Sequence, residues 1–536
     1  MRAPVFFSLP LFVLTPASVV SQEHYQGAHE LGAVDFAVSC AGEVRPDFNR
    51  AVALLHHMMY VESRAAFEQI AERAPGCAMA HWGIAMTLFQ PLWPSRPTPQ
   101  DLHRGAAAVQ QAMELKPATD RELALVTAAA AFYREPESAE WWTRIRRWAE
   151  AMGEAFEPRK DDIETASFYA LSQLAVASVS ENRMLHQARA AEVLLGIYDR
   201  EPAHPGAIHY TIHANDVQGR AGESLDIVRS YDDIAPSVPH ALHMPTHIFV
   251  RLGEWPSVIE WNRKSADAAL RFPAGDAVSH HYSHAMDYLL YAYLQRGADE
   301  AAATVIEETV PRSPHQGTFT SAFHLAAMPA RYAVERRQWD EAAAVQVRQH
   351  EYLPWDKFWW PEAMSWFAKG LGATKTGDLT TAREAEARMR ALGDQADEAG
   401  EQAFRQYIEI DRLVLAGWIA HAEGDAETAV ARMREGAELE ASVEKHPVTP
   451  GTLYPPYEAL GDVLLQERPS DALEAFAASL RIWPKRYNSL LGAARAARHV
   501  GDTGRAKTYY EELLEVVRDA DTGRSGVVEA KEFVGR

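Results

Sequence analysis

The sequence has 536 residues, which is too long for one ordinary hydrophobic core and predicts several domains or an array of repeats. Its net charge of −21 excludes nonspecific binding to nucleic acid and to anionic membrane surfaces. Hydrophobic residues make up 47% of the chain, as in folded proteins, and the abundance of alanine favours helices over strands.

Residues 1–21 have the pattern of a secretory signal peptide. Arg2 precedes an apolar run that ends in small residues, and cleavage is expected after Ser21. Three prolines within the run argue against a permanent membrane helix, and no later segment has about 18 continuous apolar residues. We therefore expect a periplasmic or secreted protein with no membrane span after signal cleavage.

The chain contains two cysteines, Cys40 and Cys77. In an oxidising compartment, an even count of two predicts one disulfide, whereas the alternative is a pair of buried thiols. The disulfide would tie the N-terminal stretch to the first helical hairpins.

From about Phe48 onward, apolar residues recur at helical spacing, and no pattern of alternating strand residues appears. Turn signals punctuate the helices at Gly253, Gly297, Gly377 and similar positions, which predicts an all-α array of helical hairpins, that is, an α-solenoid. The expected segments are a signal peptide (1–21), an extended segment (22–47), N-terminal helical repeats (48–203), central repeats with histidine pairs (204–350), helical repeats after an aromatic loop (351–445), C-terminal repeats (446–518) and a flexible tail (519–536).

The C-terminal repeats show the repeat unit most clearly. Ala472, Phe476 and Pro484 keep the spacing of a second helix and its end, and Ala506 and Tyr510 repeat the alanine-to-aromatic step 34 residues later. This pattern resembles the tetratricopeptide repeat. The runs FNRAVALLHHMMYVESRAAFEQI and HPGAIHYTIHAND also look like a group of exported bacterial tetratricopeptide-repeat proteins. The resemblance implies a solenoid of tetratricopeptide-like hairpins and no particular activity.

The stretch 205–253 contains two copies of one repeat unit. Shifting PGAIHYTIHAND by 34 residues brings Pro205 onto Pro239 and places a His-x-x-x-His pair in each copy. A third pair follows 37 residues after the second. Both imidazoles of a pair share one helix face, so three pairs on neighbouring helices predict a metal site in the concave groove. The predicted ligands are His209, His213, His243, His247, His280 and His284, with Asp287 as an alternative to His280.

Imidazole ligands without a nearby cysteine suit copper, zinc or iron. Six histidines would make two three-histidine sites, like a paired copper centre in ligand type only. Asp216 and Asp287 each follow a pair by three residues, so a mixed site with a carboxylate is the other arrangement. The spacing leaves these alternatives open.

Several other histidines are weaker candidates, because a lone histidine is usually a packing or surface residue. His240 is interpreted as either a fourth ligand or a helix-start residue, and the others are His56, His57, His81, His204, His281 and His324. Duplication of one ancestral repeat, with histidines that only pack, is the main alternative to a metal site.

Three interpretations of function follow. The first is an exported solenoid that binds one or two metal ions and acts as a metal-dependent hydrolase or oxidoreductase. The second is a non-catalytic scaffold whose groove binds a peptide or a protein. The third is a protein that stores or delivers metal through the same ligands. In the enzyme interpretation the groove admits a small-molecule ligand.

Overall fold

The structure is a computed structural model that describes residues 31–94, 96–178, 180–521 and 523–535. The expected signal peptide, residues 1–21, lies outside the described residues. No helix among the described residues is long and apolar enough to cross a membrane.

The described chain is built from helices and short turns, with two isolated β-bridges and no strand. Four short 3-10 helices, η1 to η4, cover Gly42–Val44, Glu157–Arg159, Ala221–Ser224 and Trp355–Lys357. The α-helices are α1 (Arg45–His56), α2 (Tyr60–Arg73), α3 (Ala78–Met86), α4 (Pro99–Glu114), α5 (Asp120–Tyr133), α6 (Trp141–Phe156), α7 (Ile163–Ala177), α8 (Arg183–Tyr198), α9 (Pro205–Asn215), α10 (Leu225–Arg229), α11 (Tyr231–Ile234), α12 (Pro239–His243), α13 (Pro245–Leu252), α14 (Trp255–Ala269), α15 (His280–Gln295), α16 (Asp299–Thr309), α17 (Phe319–Glu335), α18 (Trp339–Ala343), α19 (Trp359–Thr376), α20 (Leu379–Glu398), α21 (Gln402–Ala422), α22 (Ala426–Ser442), α23 (Pro456–Leu464), α24 (Pro469–Ile482), α25 (Tyr487–His499), α26 (Thr503–Val516) and α27 (Ser525–Val534).

The turns within hairpins form where the sequence predicts them. Gly377, for example, ends α19 with a left-handed backbone at φ 90°, and Asp378 then caps α20 by accepting the backbone N–H of Thr381. The hairpin of α17 and α18 lacks a glycine, and Arg337 takes the left-handed position there at φ 57°. Each hairpin therefore carries its own stop and start signals.

Neighbouring helices approach closely where glycine faces an aromatic ring. A Cβ atom on Gly461 would lie 2.8 Å from the ring of Phe476, and one on Gly492 would lie 2.3 Å from it. The same contact recurs near the N-terminus, where a Cβ atom on Gly83 would lie 2.4 Å from Phe67. Because this helix packing repeats from end to end, the expected all-α solenoid of tetratricopeptide-like hairpins is confirmed.

Both ends of the described chain differ from expectation. Helical structure begins at Gly42 rather than near Phe48. The predicted flexible tail is wrong, because α27 forms there and buries Val527 and Ala530 against the C-terminal helices. The apolar face of this helix follows none of the turn or repeat signals from which the tail was predicted.

Cys40 and Cys77 form the expected disulfide, with Cα atoms 4.9 Å apart. The bond joins the segment before α1 to the turn between α2 and α3. It therefore fixes the N-terminal segment to the first helical hairpin.

The solenoid curves until its C-terminal helices touch its central ones. One hydrophobic cluster contains residues of α1, α9, α13, α15, α25 and α27 together. Polar contacts cross the same boundary, since Trp255 donates to the Lys485 carbonyl and the Tyr487 N–H donates to Gln295. Residues 444–451, between α22 and α23, run through the interior of this curve.

Candidate metal centre

Four neighbouring helices supply the histidines of the interior. Pro205 and Pro239 occupy the first turn of α9 and α12, where a missing N–H costs nothing. The two copies of the unit therefore begin alike, and His209 and His243 each follow their proline by four residues. Met244 and Pro245 interrupt the second copy, so His243 ends α12 while His247 lies in α13.

The first triad consists of His209, His213 and His240. One ligand-capable atom from each residue lies within 4.8 Å of the others. The rings of His209 and His213 stack with centroids 5.1 Å apart, and the ring of His240 approaches that of His209 to 5.0 Å. One helical pair and one histidine from the next repeat thus form a compact group.

The nitrogens of the first triad that face one another lack hydrogen bonds. The Nδ1–H of His209 donates to the carbonyl of His56 at 2.6 Å, which leaves a lone pair on Nε2. Nε2 of His209, Nε2 of His213 and both ring nitrogens of His240 are buried without a partner among the described residues. An unsatisfied buried polar group costs about 1–3 kcal/mol, and a bound partner at these nitrogens would remove that cost.

The second triad consists of His243, His247 and His284, again with ligand-capable atoms within 4.8 Å of one another. Nδ1 of His243 lies 2.7 Å from Oδ1 of Asn262, and Nδ1 of His247 lies 3.1 Å from a carboxylate oxygen of Asp216. Both oxygens are acceptors, so each Nδ1 carries the proton and each Nε2 carries a lone pair. These two Nε2 atoms lie only 3.0 Å apart.

A chain of hydrogen bonds sets the third ring of this triad. Arg331 and Nδ1 of His324 both donate to the carboxylate of Asp287, at 3.0 and 2.9 Å. Nε2 of His324 is then an acceptor, and it lies 2.7 Å from Nδ1 of His284. The proton of His284 is therefore on Nδ1, and its Nε2 lone pair is free to face His243 and His247.

Electrostatics keeps these rings neutral. Burial lowers the pKa of His243 and His284 well below the ordinary value, and neighbouring histidines lower both values further. Burial alone would raise the pKa of Asp216, but Lys445 and Arg251 beside it hold that pKa below its usual range. Asp216 is thus an ionised acceptor that orients His247.

A third group, His56, Glu164 and His204, behaves differently although its ligand-capable atoms also lie within 4.8 Å of one another. Nδ1 of His204 accepts the N–H of Ala207, so Nε2 of His204 donates to Glu164 at 3.2 Å. His56 lies 2.8 Å from the other Glu164 oxygen and 3.0 Å from the hydroxyl of Tyr210. Internal hydrogen bonds satisfy this group, and it needs no ion.

Five of the seven predicted ligands lie in the two triads: His209, His213, His243, His247 and His284. His280 lies outside both, with its ring tilted against that of Trp93 at a centroid distance of 4.7 Å. Asp287 orients His324 rather than facing the triads. His240, interpreted from the sequence as a weak candidate, takes the third place in the first triad, because its ring in the first turn of α12 lies 5.0 Å from the ring of His209 on α9.

The triads are covered yet lie beside a cleft. Residues 92–94 and 446–448 cover the histidines from the groove side, so the expected open groove is filled at this point. A wide cleft between the N-terminal helices and α21 reaches His213 and Asp216. Arg96, Arg146 and Arg183 line this cleft together with acidic residues and Trp142.

The triads also lie close to each other. The rings of His213 and His247 are 6.1 Å apart, and so are the rings of His240 and His243. Two ions bound in the two triads would therefore be neighbours.

No protein-family model matches the sequence, and no curated protein matches it either. The chain is similar to a chain in the crystal structure of the APC/C hetero-tetramer Cut9-Hcn1, with 14% identity, a TM-score of 0.32, and coverage of 92% of this chain and 90% of that one. It is also similar to a monomeric mutant of IFIT1 with the ligand m7Gppp-AAAA, with 11% identity, a TM-score of 0.36, and coverage of 82% and 90%. Likenesses this low carry no conclusion about function.

Proposed function

We propose that this protein binds two neighbouring transition-metal ions, one in each histidine triad, and that the pair forms the reactive centre of an exported metalloenzyme. The observation that supports the proposal most strongly is that buried imidazole nitrogens in the first triad have no partner within the described part of the chain. Histidine binds metal as a neutral imidazole, through a ring nitrogen that carries a lone pair.

The second triad supports the same conclusion through repulsion. Two neutral nitrogens whose lone pairs face each other at 3.0 Å repel unless a cation lies between them. His243, His247 and His284 would hold such a cation through their Nε2 atoms.

The residues around the triads accept hydrogen bonds from the histidines in the way that residues next to metal ligands do. Ligating histidines usually donate their other ring N–H to a carboxylate, a carbonyl or a similar acceptor. His247 donates to Asp216, His209 to the carbonyl of His56, and His243 to Asn262. The third, hydrogen-bonded group of His56, Glu164 and His204 lacks this arrangement.

Copper is the first choice among copper, zinc and iron. Paired iron sites in helical proteins use glutamate ligands together with histidine, whereas both triads are wholly imidazole. Copper also stands highest in the affinity order of divalent metals for nitrogen ligands. When bound, copper would supply redox chemistry, which makes an oxidoreductase the preferred class.

The chain's own residues would control access. The cleft beside His213 gives a small molecule a route to the first triad, and Trp93 with residues 446–448 shields the second. The disulfide and the signal-like N-terminus support the interpretation that the protein works outside the cytoplasm.

Metal analysis of purified protein tests the proposal. After reconstitution with copper, wild-type protein should bind about two ions per chain. His240→Ala and His284→Ala should each lower the stoichiometry by about one ion, because each removes one ligand from one triad.

His280→Ala is the matched control, since His280 lies beside the triads but belongs to neither. It should leave the stoichiometry unchanged. Wild-type protein that retains almost no copper, zinc or iron after reconstitution would contradict the proposal and favour a scaffold with packed histidines.

A further inference from the structure

A second pocket lies on the opposite side of segment 444–451 from the triads. It lies between α19, α21, α22 and the loop after α24, and about 60 Å³ of it is open to the centre of a water molecule. Trp360, Met364, Ile410 and Trp483 form apolar walls, and all four side chains are buried. Apolar atoms form most of the pocket's surface, and a mainly apolar pocket with convergent polar groups is the usual form of a small-molecule site.

Two carboxyl groups project from this apolar wall. Glu440 of α22 and Asp411 of α21 both line the pocket and are each only 7% exposed. Trp483 donates its indole N–H to one oxygen of Glu440 at 3.2 Å. The other oxygen, Oε2, is buried without a partner among the described residues.

No cation in the described part of the chain forms an ion pair with Glu440 or Asp411. Arg251 and Lys445 also line the pocket, but both bind Asp216. Arg486 is held by Glu335 and Glu458, and Arg331 is held by Asp287. Burial accordingly raises the pKa of Glu440 to about 8 and that of Asp411 to about 7.

We propose that this pocket binds a small organic ammonium ion, with its charge against Glu440 and Asp411 and its apolar body between Trp360 and Trp483. A positive ligand supplies the partner that the Glu440 oxygen lacks, and aromatic faces attract cations by their ring quadrupole. A neutral ligand of the same shape would leave both carboxyl groups without a cation.

This inference does not depend on metal binding. Residues 445–449 separate the pocket from the triads, and none of the six triad histidines lines it. The pocket and the metal centre are therefore tested separately.

Calorimetric titration of the full chain with benzylamine and with benzyl alcohol tests the proposal. The two probes have nearly the same shape and differ in charge. Benzylamine should bind at least about tenfold more tightly, and Glu440→Gln should remove that advantage. Binding of benzyl alcohol should survive in the variant, which shows that the pocket remains folded.

Glu438→Gln on the exposed face of the same helix is the control, and it should keep the preference for benzylamine. Equal affinity of the wild type for the two probes, absence of binding by either, or an unchanged preference in Glu440→Gln would each overturn the proposal.

Discussion

Single acceptor atoms decide which nitrogen of each histidine faces the interior. Asn262 illustrates this, because its amide nitrogen donates to the Val258 carbonyl and its oxygen therefore faces His243. A histidine that loses such an acceptor can turn its N–H toward the centre of the triad, where a metal ion would need a lone pair.

Asn262→Ala should therefore weaken metal binding without unfolding the protein. We expect affinity for copper to fall by about 10- to 100-fold, as is typical when an outer-shell partner of a ligand is lost. Competition with a chelator of known affinity measures the change. Glu260→Ala, an exposed residue of the same helix, is the control, and equal losses in the two variants would contradict the prediction.

The sequence predicts most of the histidines of the triads, but it does not predict which three histidines come together in each triad. The spacing of four residues places both histidines of a pair on one side of the chain, and this holds for His209 with His213. Which histidine joins each pair depends on how neighbouring helices lie. Asp287 lies outside both triads, and its partners, His324 and Arg331, could not be predicted because they lie on the next long helix and follow no short motif.

At the scale of elements, turn chemistry made the hairpins predictable, whereas α27 had no comparable signal. The helix is amphipathic, since Val527 is 5% exposed and its neighbour Val528 is 48% exposed. Glu529 binds both Arg495 and Tyr510 of the preceding hairpin. The helix thus covers the end of the solenoid, where a last repeat would otherwise expose its core.

Val527→Asp should accordingly destabilise the protein, because it buries an unpaired carboxylate in the C-terminal core. We expect the free energy of unfolding to fall by about 2–4 kcal/mol, and thermal unfolding measures this. Val528→Asp introduces the same charge one residue later on the exposed face and should change stability by less than about 0.5 kcal/mol. Similar effects of the two substitutions would favour a flexible tail.

Many histidines of the molecule are buried and neutral, so its free energy of unfolding should fall as the pH is lowered. Burial lowers the pKa of His57 to about 3, and that ring is held between the Tyr231 hydroxyl and the Leu31 carbonyl. Below about pH 6.5 an unfolded histidine gains a proton that the folded one does not. The stabilising contribution is therefore full above that pH and is lost as pH falls toward 3.

His57→Gln should flatten this dependence. The variant takes up one proton fewer when it unfolds. The slope of the unfolding free energy against pH should therefore be lower by about 1.4 kcal/mol per pH unit between pH 4 and 6. Urea denaturation of metal-free protein at several pH values measures the slope. His103→Gln, at an exposed position on α4, should leave the slope as it is in the wild type. An unchanged slope in His57→Gln would contradict the lowered pKa of His57 in the folded protein.

The contact between the C-terminal and central helices changes how the repeats depend on one another. In an open array each repeat touches only its neighbours, so unfolding spreads stepwise from an end. Here residues 444–451 and α25 to α27 rest on helices formed some 200 residues earlier, which closes the array on itself. The nitrogens of the triads come from residues 209–284, whereas part of their cover belongs to a later section of the chain. A chain folded only through its central repeats would leave its histidines exposed on this side, and residues 446–448 would cover them only once the later part of the chain has folded.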